Sequence, residues 1–321
     1  MLIKEEQMHC DIYSQLGGSG KCHHYIKGGF CKLDNQFRCI EFINRKGVDL
    51  THSSIRDYLR CPFLFYLNNI VGVRIKSKST RMLMGEIMAE CLHTMHLGKQ
   101  ITQWDWLHNK YNISDDDDTE LELTKLGCMV SHYWSSGMYQ FDDEVLPEEN
   151  WSYFWSDDNE VYKIHGRVDA RLPNKHWLLE CKYTTKPENY TLFTLHDQLG
   201  TYLLGFPETQ KLISRIIRVP GLRLGKNETM VDYQQRLLKD ISRRPAFYFN
   251  DYSYFPSEIN TTELRSRITL ITHQIRHLIS QDNFYQNRES CFSPYKCDMY
   301  HICSTGVVSN KVYEYRQAKE E

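Results

Sequence analysis

Asp169, Glu180 and Lys182 are the residues of this 321-residue chain whose types and spacing best suit chemistry. Strand side chains alternate between faces with a period of two, so Glu180 and Lys182 point the same way and Cys181 points opposite. If Ile164–Val168 and His176–Cys181 pair as a hairpin around Pro173-Asn174, Asp169 arrives beside them. Two carboxylates and one amine then share a spot. Hard oxygen ligands of this kind suit Mg²⁺ or Mn²⁺, and a lysine beside them can orient or help deprotonate a water attacking a phosphodiester. The alternative is a pair of solvated hairpin charges forming weak ion pairs. Trp177, Leu178 and Leu179 make the run too apolar for an exposed edge, which sets the charges at the rim of a core.

The flanking segments show how such a set is positioned. In His-Asp-Gln-Leu-Gly-Thr-Tyr, Gln198 and Tyr202 stand four apart and share one helix face. Ser53 or Ser54 is expected to cap a helix that Pro62 then breaks. Met82–Leu97 reads as a helix with Glu86, Glu90 and His93 along one stripe, either a polar outer face or a set of ligands. A helix is expected from about Thr119 to Tyr139 and a strand over Glu149–Trp155. Helix, strands, then helix give an α/β class, a mixed central sheet flanked by helices.

In this order, Gly166-x-x-Asp169, Glu180-x-Lys182 and Gln198-x-x-x-Tyr202 resemble the PD-(D/E)XK nucleases, specifically their RecB-like and phage exonuclease branch, which includes the CRISPR-adaptation nucleases. Ser53–Tyr66, with its Cys61-Pro62, resembles the segment that precedes the core in that branch. The resemblance spans roughly residues 52–303. It implies a restriction-endonuclease-like core in which Asp169 and Glu180 bind metal, Lys182 serves the nucleophile, and Gln198 and Tyr202 position DNA or the neighbouring strand. The branch also has a helical Gly-x-x-x-His-Glu pattern that contributes to the metal. Here Gly85 and Glu90 match but Ala89 stands at the histidine position, so Glu90 is the expected helical ligand, with Glu86 and His93 as substitutes.

Cysteines carry a second signal. Of 11, Cys291, Cys297 and Cys303 recur at six-residue steps. A [4Fe–4S] cluster needs four thiolates, and the resemblance supplies the fourth as Cys61, because several RecB-like nucleases hold such a cluster with one upstream and three downstream cysteines. Zinc suits a four-thiolate shell equally, and four unligated thiols are the third reading. A cluster here would be a C-terminal clasp on the fold rather than a redox device. Separately, Cys10, Cys22, Cys31 and Cys39, with His9, His23 and His24 nearby, form a short segment poor in apolar residues that is either a small zinc module or an ordinary hairpin.

A net charge of −2 is no footprint of a general nucleic-acid binder. Local clusters offset it: Arg74, Lys76, Lys78 and Arg81, and later Arg215, Arg218, Arg223, Arg243 and Arg244. With 21 tyrosines, 14 phenylalanines and 6 tryptophans, there is stacking surface for single-stranded bases. Arg215, Arg218, Arg223 and Arg243 are the expected DNA contacts. No apolar run is long enough to span a bilayer. The expected organisation is a cysteine-rich appendage at 1–50, a nuclease domain with its clasp at 51–310 and a tail at 311–321, in the cytoplasm of a prokaryotic or phage-infected cell. The expected activity is divalent-metal-dependent DNA hydrolysis, exonucleolytic on ends or single strands. The competing expectation is a non-catalytic DNA- or protein-binding component on a decayed nuclease fold.

Overall fold

Trp-Leu-Leu-Glu-Cys-Lys-Tyr-Thr at 177–184 and Lys-Leu-Ile-Ser-Arg-Ile-Ile-Arg at 211–218 are the two parallel strands at the middle of the main sheet. Both are apolar over most of their length, as strands covered on both faces must be. The structure, a computed structural model, describes residues 25–26, 30–31, 49–76, 79–101, 110–111, 116–157, 160–293 and 295–315. Strands follow in chain order as β1 (Tyr25–Ile26), β2 (Phe30–Cys31), β3 (Asp49–Leu50), β4 (Val73–Ile75), β5 (Leu146–Pro147), β6 (Asn150–Asp157), β7 (Glu160–Arg167), β8 (Ala170–Leu172), β9 (Trp177–Thr184), β10 (Lys211–Arg218), β11 (Phe249–Tyr254) and β12 (Tyr313–Tyr315). Helices are α1 (His52–Arg60), α2 (Pro62–Phe65), α3 (Thr80–His96), α4 (Asp117–Ser135), α5 (Leu192–Gly205), α6 (Met230–Arg243), α7 (Pro245–Tyr248), α8 (Thr261–Ser280) and α9 (Tyr300–Thr305).

The chain divides into two compact units, one of residues 78–153 and 164–265, the other of residues up to 77 with 154–163 and 266 onward. In the first, five strands run in the order β11-β10-β9-β8-β5. Only β9 and β10 are parallel, and α5 lies in the connection between them. This is the mixed, helix-flanked sheet expected from the sequence. On one side, Met84, Ile87, Leu126, Met129, Tyr233 and Leu237 from α3, α4 and α6 form a closed core. Helix α5 packs closely through its glycines. A Cβ on Gly205 would lie 2.5 Å from the Trp151 ring, and one on Gly200 2.5 Å from Leu264, distances no real side chain tolerates.

In the second unit, α1 ends at Arg60, Cys61 is extended, and Pro62 opens α2, as a proline at the first helical position does. The cap of α1 differs from expectation. Thr51 is the N-cap and Ser54 the third residue of a reciprocal box, with Ser54 N–H donating to Thr51 Oγ1 at 3.0 Å and Thr51 N–H to Ser54 Oγ at 2.9 Å. Ser53 and Ser54 fall two and three residues too late to cap, because Thr51 already holds the extended backbone a cap needs. Strand β4 pairs antiparallel with β12. Cys10, Cys22 and Cys39, His9, His23 and His24, and the Cys31 side chain lie outside the described residues, as does Lys78.

The hairpin that delivers Asp169 also differs in register. Ala170 pairs with Leu179 and Leu172 with Trp177, across a turn over residues 173–176. Ile164–Val168 takes no part in it, because Ile164–Arg167 belongs to β7, the neighbour of β6. The turn needs four residues, with His176 at φ 53°, so pairing begins at Trp177 rather than at His176.

Candidate active site

Because Ala170 faces Leu179, Asp169 lies one step beyond the last hairpin pair, beside Glu180. Its Oδ2 accepts the Cys181 backbone N–H at 2.7 Å, so the side chain completes the ladder that the backbone leaves. Its own carbonyl accepts the Glu148 N–H at 2.9 Å, and Val168 N–H donates to Glu149 O at 3.0 Å, which pins the residue from the other side.

Glu180 is 2% exposed. A buried carboxylate must be fully hydrogen-bonded, and α5 supplies the donors. Tyr202 donates its hydroxyl to Oε2 at 2.6 Å, and Gln198 donates Nε2 to Oε1 at 2.8 Å. Gln198 Nε2 also donates to the Tyr202 hydroxyl at 2.8 Å. Lys182 Nζ contacts Glu180 Oε1 from the strand itself. The five residues of the sequence pattern thus meet at one place, and the i, i+4 pair on α5 clamps Glu180.

The electrostatics are unbalanced. Burial, then the neighbouring Glu180 charge, pushes Asp169 up to about 7 against the pull of Lys182. Burial alone would lower Lys182, but Glu180 and Asp169 overcome it and hold it above the usual lysine range. Lys182 is therefore a firm ammonium here. Burial and the Glu180 charge hold the Tyr202 phenol well above its usual range.

A second group of charges, on α3 and around β5, is less legible in sequence. Glu148 adopts a left-handed backbone, φ 54°, a conformation few non-glycine residues take. Its carboxylate meets Arg167 at 3.0 Å and His93 Nδ1 at 3.7 Å. That nitrogen is buried without a hydrogen-bond partner. Glu90 meets Lys110 at 2.7 Å rather than joining Asp169 and Glu180 in one shell. Among the described residues, no three His, Cys, Asp or Glu side chains converge closely enough to hold a single ion. The donor set still fits a hard divalent cation: two carboxylates share one ammonium, and Asp169 carries the surplus charge as a raised proton affinity. Motif spacing could not reveal Glu148, because its positive-φ backbone brings it in, and Arg167 meets it from the end of β7.

The expected DNA contacts have separate fates. Arg215 sits on the far face of β10, paired in register with Cys181 and only 7% exposed. It grips Asp251 through Nε at 2.7 Å and NH2 at 2.6 Å, the Tyr133 hydroxyl at 2.5 Å and Met138 O at 2.7 Å. Its guanidinium is spent internally. Arg218 lies over the Phe247 ring at 4.5 Å, while Arg223 and Arg243 are exposed.

In the other unit, Cys61, Cys291, Cys297 and Cys303 are free thiols within electrostatic reach of one another. Burial, then Cys297, Cys61 and Cys291, pushes Cys303 up to about 11. Cys61 Sγ accepts the Asn287 N–H at 3.3 Å, and Cys297 N–H donates to Cys291 O at 2.7 Å, closing the loop between those two cysteines.

The sequence pattern of the PD-(D/E)XK nuclease superfamily matches residues 49–304. The chain belongs to that superfamily. Two solved structures are also similar to this nuclease. A protein designated SSO0001 is 14% identical over 70% of this chain and 97% of its own, with a TM-score of 0.32. A phage-related exonuclease from Haemophilus somnus 129PT is 12% identical over 75% of this chain and 99% of its own, with a TM-score of 0.35. No curated protein matches the nuclease. Its family implies DNA as the substrate class and, typically, Mg²⁺ or Mn²⁺. Among the described residues, no helix is long and apolar enough to cross a membrane.

Proposed function

We propose that the protein is a divalent-metal-dependent deoxyribonuclease acting on ends or single strands of DNA, with Asp169, Glu180 and Lys182 as its catalytic residues. The observation that carries this reading is the surplus negative charge: Asp169 and buried Glu180 stand together with Lys182 as the cation in contact, while Arg167, which also acts on Asp169, is paired with Glu148. A buried like-charge pair is costly, and such pairs cluster at functional sites. Mg²⁺ or Mn²⁺, when bound, would supply charge neutralisation at the phosphate and acidify the water it holds. Asp169 and Glu180 would hold the ion, with Glu90 the helical candidate and His93 and Glu148 a histidine–carboxylate pair on the same rim. Tyr202 and Gln198 fix the rotamer of Glu180. Lys182, an ammonium here, places its charge where the attacking water and the phosphate oxygens gather.

End-labelled linear and closed circular single-stranded DNA, incubated with Mg²⁺ or Mn²⁺ and wild type or Lys182→Ala, test this directly. Loss of the linear strand alone, with metal and with wild type only, is the expected result. Cutting of the circle would make the enzyme an endonuclease at the same site. Metal-independent binding without cleavage would replace the reading with that of a non-catalytic binder.

For the cysteines, the reading is a [4Fe–4S] clasp on Cys61, Cys291, Cys297 and Cys303, with zinc as the alternative. Its support is that Cys61, Cys291 and Cys297 all act electrostatically on Cys303, although the four thiols do not stand close enough together here to hold an ion. Anaerobically purified protein should be brown, absorbing broadly near about 400 nm. Colourless protein with stoichiometric zinc would remove the cluster and leave the nuclease reading intact.

A further inference from the structure

Strand β10 carries two arginines three residues apart, and the pleat sends them to opposite faces of the sheet. Arg215 pairs in register with Cys181 and shares its face. Arg218 lies on the other. Ile217 and its register partner Tyr183 pack on the core of α3, α4 and α6, so their neighbours Lys182, Ile216 and Arg218 turn away from that core. On this second face, Ser214 pairs with Glu180, Ile216 with Lys182 and Arg218 with Thr184. Val219 N–H donates to Thr184 O at 2.8 Å, so the ladder runs past Arg218 and the alternation holds there. Arg218 therefore shares a face with Glu180 and Lys182. It stands two residues, about 7 Å, along β10 from the position opposite Lys182.

Its charge is unspent. In the same unit, Arg167, Arg171, Arg215, Arg236 and Arg244 hold Glu148, Glu149, Asp251, Glu228 and Asp240 in turn. Arg218 holds no carboxylate among the described residues, and its Nε is buried without a hydrogen-bond partner. Buried donors left without an acceptor are rare in native proteins, and each one calls for a partner. The guanidinium is held in place all the same. It lies 4.5 Å from the centre of the Phe247 ring, and Arg244, already tied to Asp240, lies 4.6 Å from the same ring. A guanidinium fixed over an aromatic ring with its donors unused is preorganised for a phosphate, which can take two N–H groups at once.

We propose that Arg218 binds the phosphate next to the scissile one on the strand held at Asp169, Glu180 and Lys182, a positioning contact that sets the register of the strand in the site. This rests on the nuclease reading and deepens it. Lys182 faces the scissile phosphate, and Arg218, farther along the same face, takes its neighbour. The contact reads backbone charge and no base, so it is indifferent to sequence.

The test uses the full chain and single-stranded oligonucleotides in which one linkage at a time is a neutral methylphosphonate. Binding is read in Ca²⁺ over a salt series and cleavage in Mg²⁺ or Mn²⁺, for wild type, Arg218→Ala and Arg218→Lys. In wild type, neutralising one linkage beside the cut should weaken binding about tenfold, the size of one charge-assisted contact. Arg218→Ala should weaken binding to the unmodified strand by the same factor and lose its sensitivity at that linkage. Its log–log salt dependence should flatten by about 0.7, the share of one phosphate of a single strand. KM should rise while kcat stays near that of wild type. Arg218→Lys should restore the salt dependence and part of the affinity, which a role in packing alone would not do. A thermal melt checks the fold, and if Arg218→Ala melts early, Arg218→Gln, which keeps the stem beside Phe247, takes its place. A wild-type linkage profile and salt dependence in the alanine or glutamine variant, with cleavage continuing, overturns the contact and leaves the nuclease standing. A wild type that neither binds nor cleaves any of the strands overturns both.

Discussion

Strands β9 and β10 bury charge on both faces of the sheet, and the two clusters are built in opposite ways. On one face, Arg215 lies beside Cys181 and gives its guanidinium to Asp251, Tyr133 and Met138. Cation meets anion and the neutral partners are acceptors. The other face sets Asp169 and Glu180 against one lysine, and Asp169 answers with a raised proton affinity. A balanced buried cluster holds architecture, because it is costly only when a partner is taken away. An unbalanced one waits for charge from outside. Burial alone would not separate them.

Swapping the two lysine-and-arginine partners separates the clusters most sharply. Lys182→Met should cost at least about a thousandfold in cleavage, the scale of a preorganised electrostatic contact, while the urea midpoint moves little. Arg215→Met should do the reverse. It takes the Arg215 donors away from the Tyr133 hydroxyl and the Met138 carbonyl and leaves Asp251 to solvent, at about 1–3 kcal/mol of stability, with activity per folded molecule retained. If Arg215→Met lost cleavage without losing stability, the assignment of the two faces would be inverted.

A smaller effect comes from His96, which sits in the balanced region with its Nε2 3.3 Å from the Tyr133 hydroxyl. Burial, then Arg215, lowers it to about 4 from the ordinary 6.5. The folded state holds it neutral while the unfolded chain protonates it below 6.5. The stability it permits is therefore complete above that value and lost as pH falls toward 4, by on the order of 3 kcal/mol. His96→Gln should flatten that part of the acid limb in urea titrations between those pH values, and an unchanged limb would place the titration elsewhere.

Tyr202→Phe should be gentler still. Glu180 keeps Gln198 and Lys182 but loses the 2.6 Å bond that fixes its rotamer. Loss of an outer hydrogen bond of this kind costs about 10–100-fold in metal affinity or activity. Equal activity would mean that Tyr202 serves packing alone.

The face with the unbalanced charges was the more legible of the two in sequence. Period-two alternation puts Glu180 and Lys182 on one side and period-four spacing puts Gln198 and Tyr202 on one helix face, while their meeting with Asp169 is implied by the resemblance to the nuclease pattern. Register was harder. The span of the 173–176 turn and the conformation of His176 decide which residues pair, and neither leaves a compositional trace. Glu148 was invisible for the same reason, since a positive-φ residue of ordinary type carries no pattern. Arg215 misled in the opposite direction. A basic residue in a run rich in arginine reads as a phosphate contact until its neighbours Asp251 and Tyr133, distant in sequence, are placed beside it.

The central claim is that the charge surplus at Asp169 and Glu180 is matched by a divalent ion, and Mn²⁺ titration followed by electron paramagnetic resonance tests it without reference to activity. Wild type should take up Mn²⁺ and melt at a higher temperature with the ion than without it, and Asp169→Ala should bind at least about tenfold more weakly. Equal Mn²⁺ affinity in wild type and Asp169→Ala, or no uptake by wild type, would contradict the account.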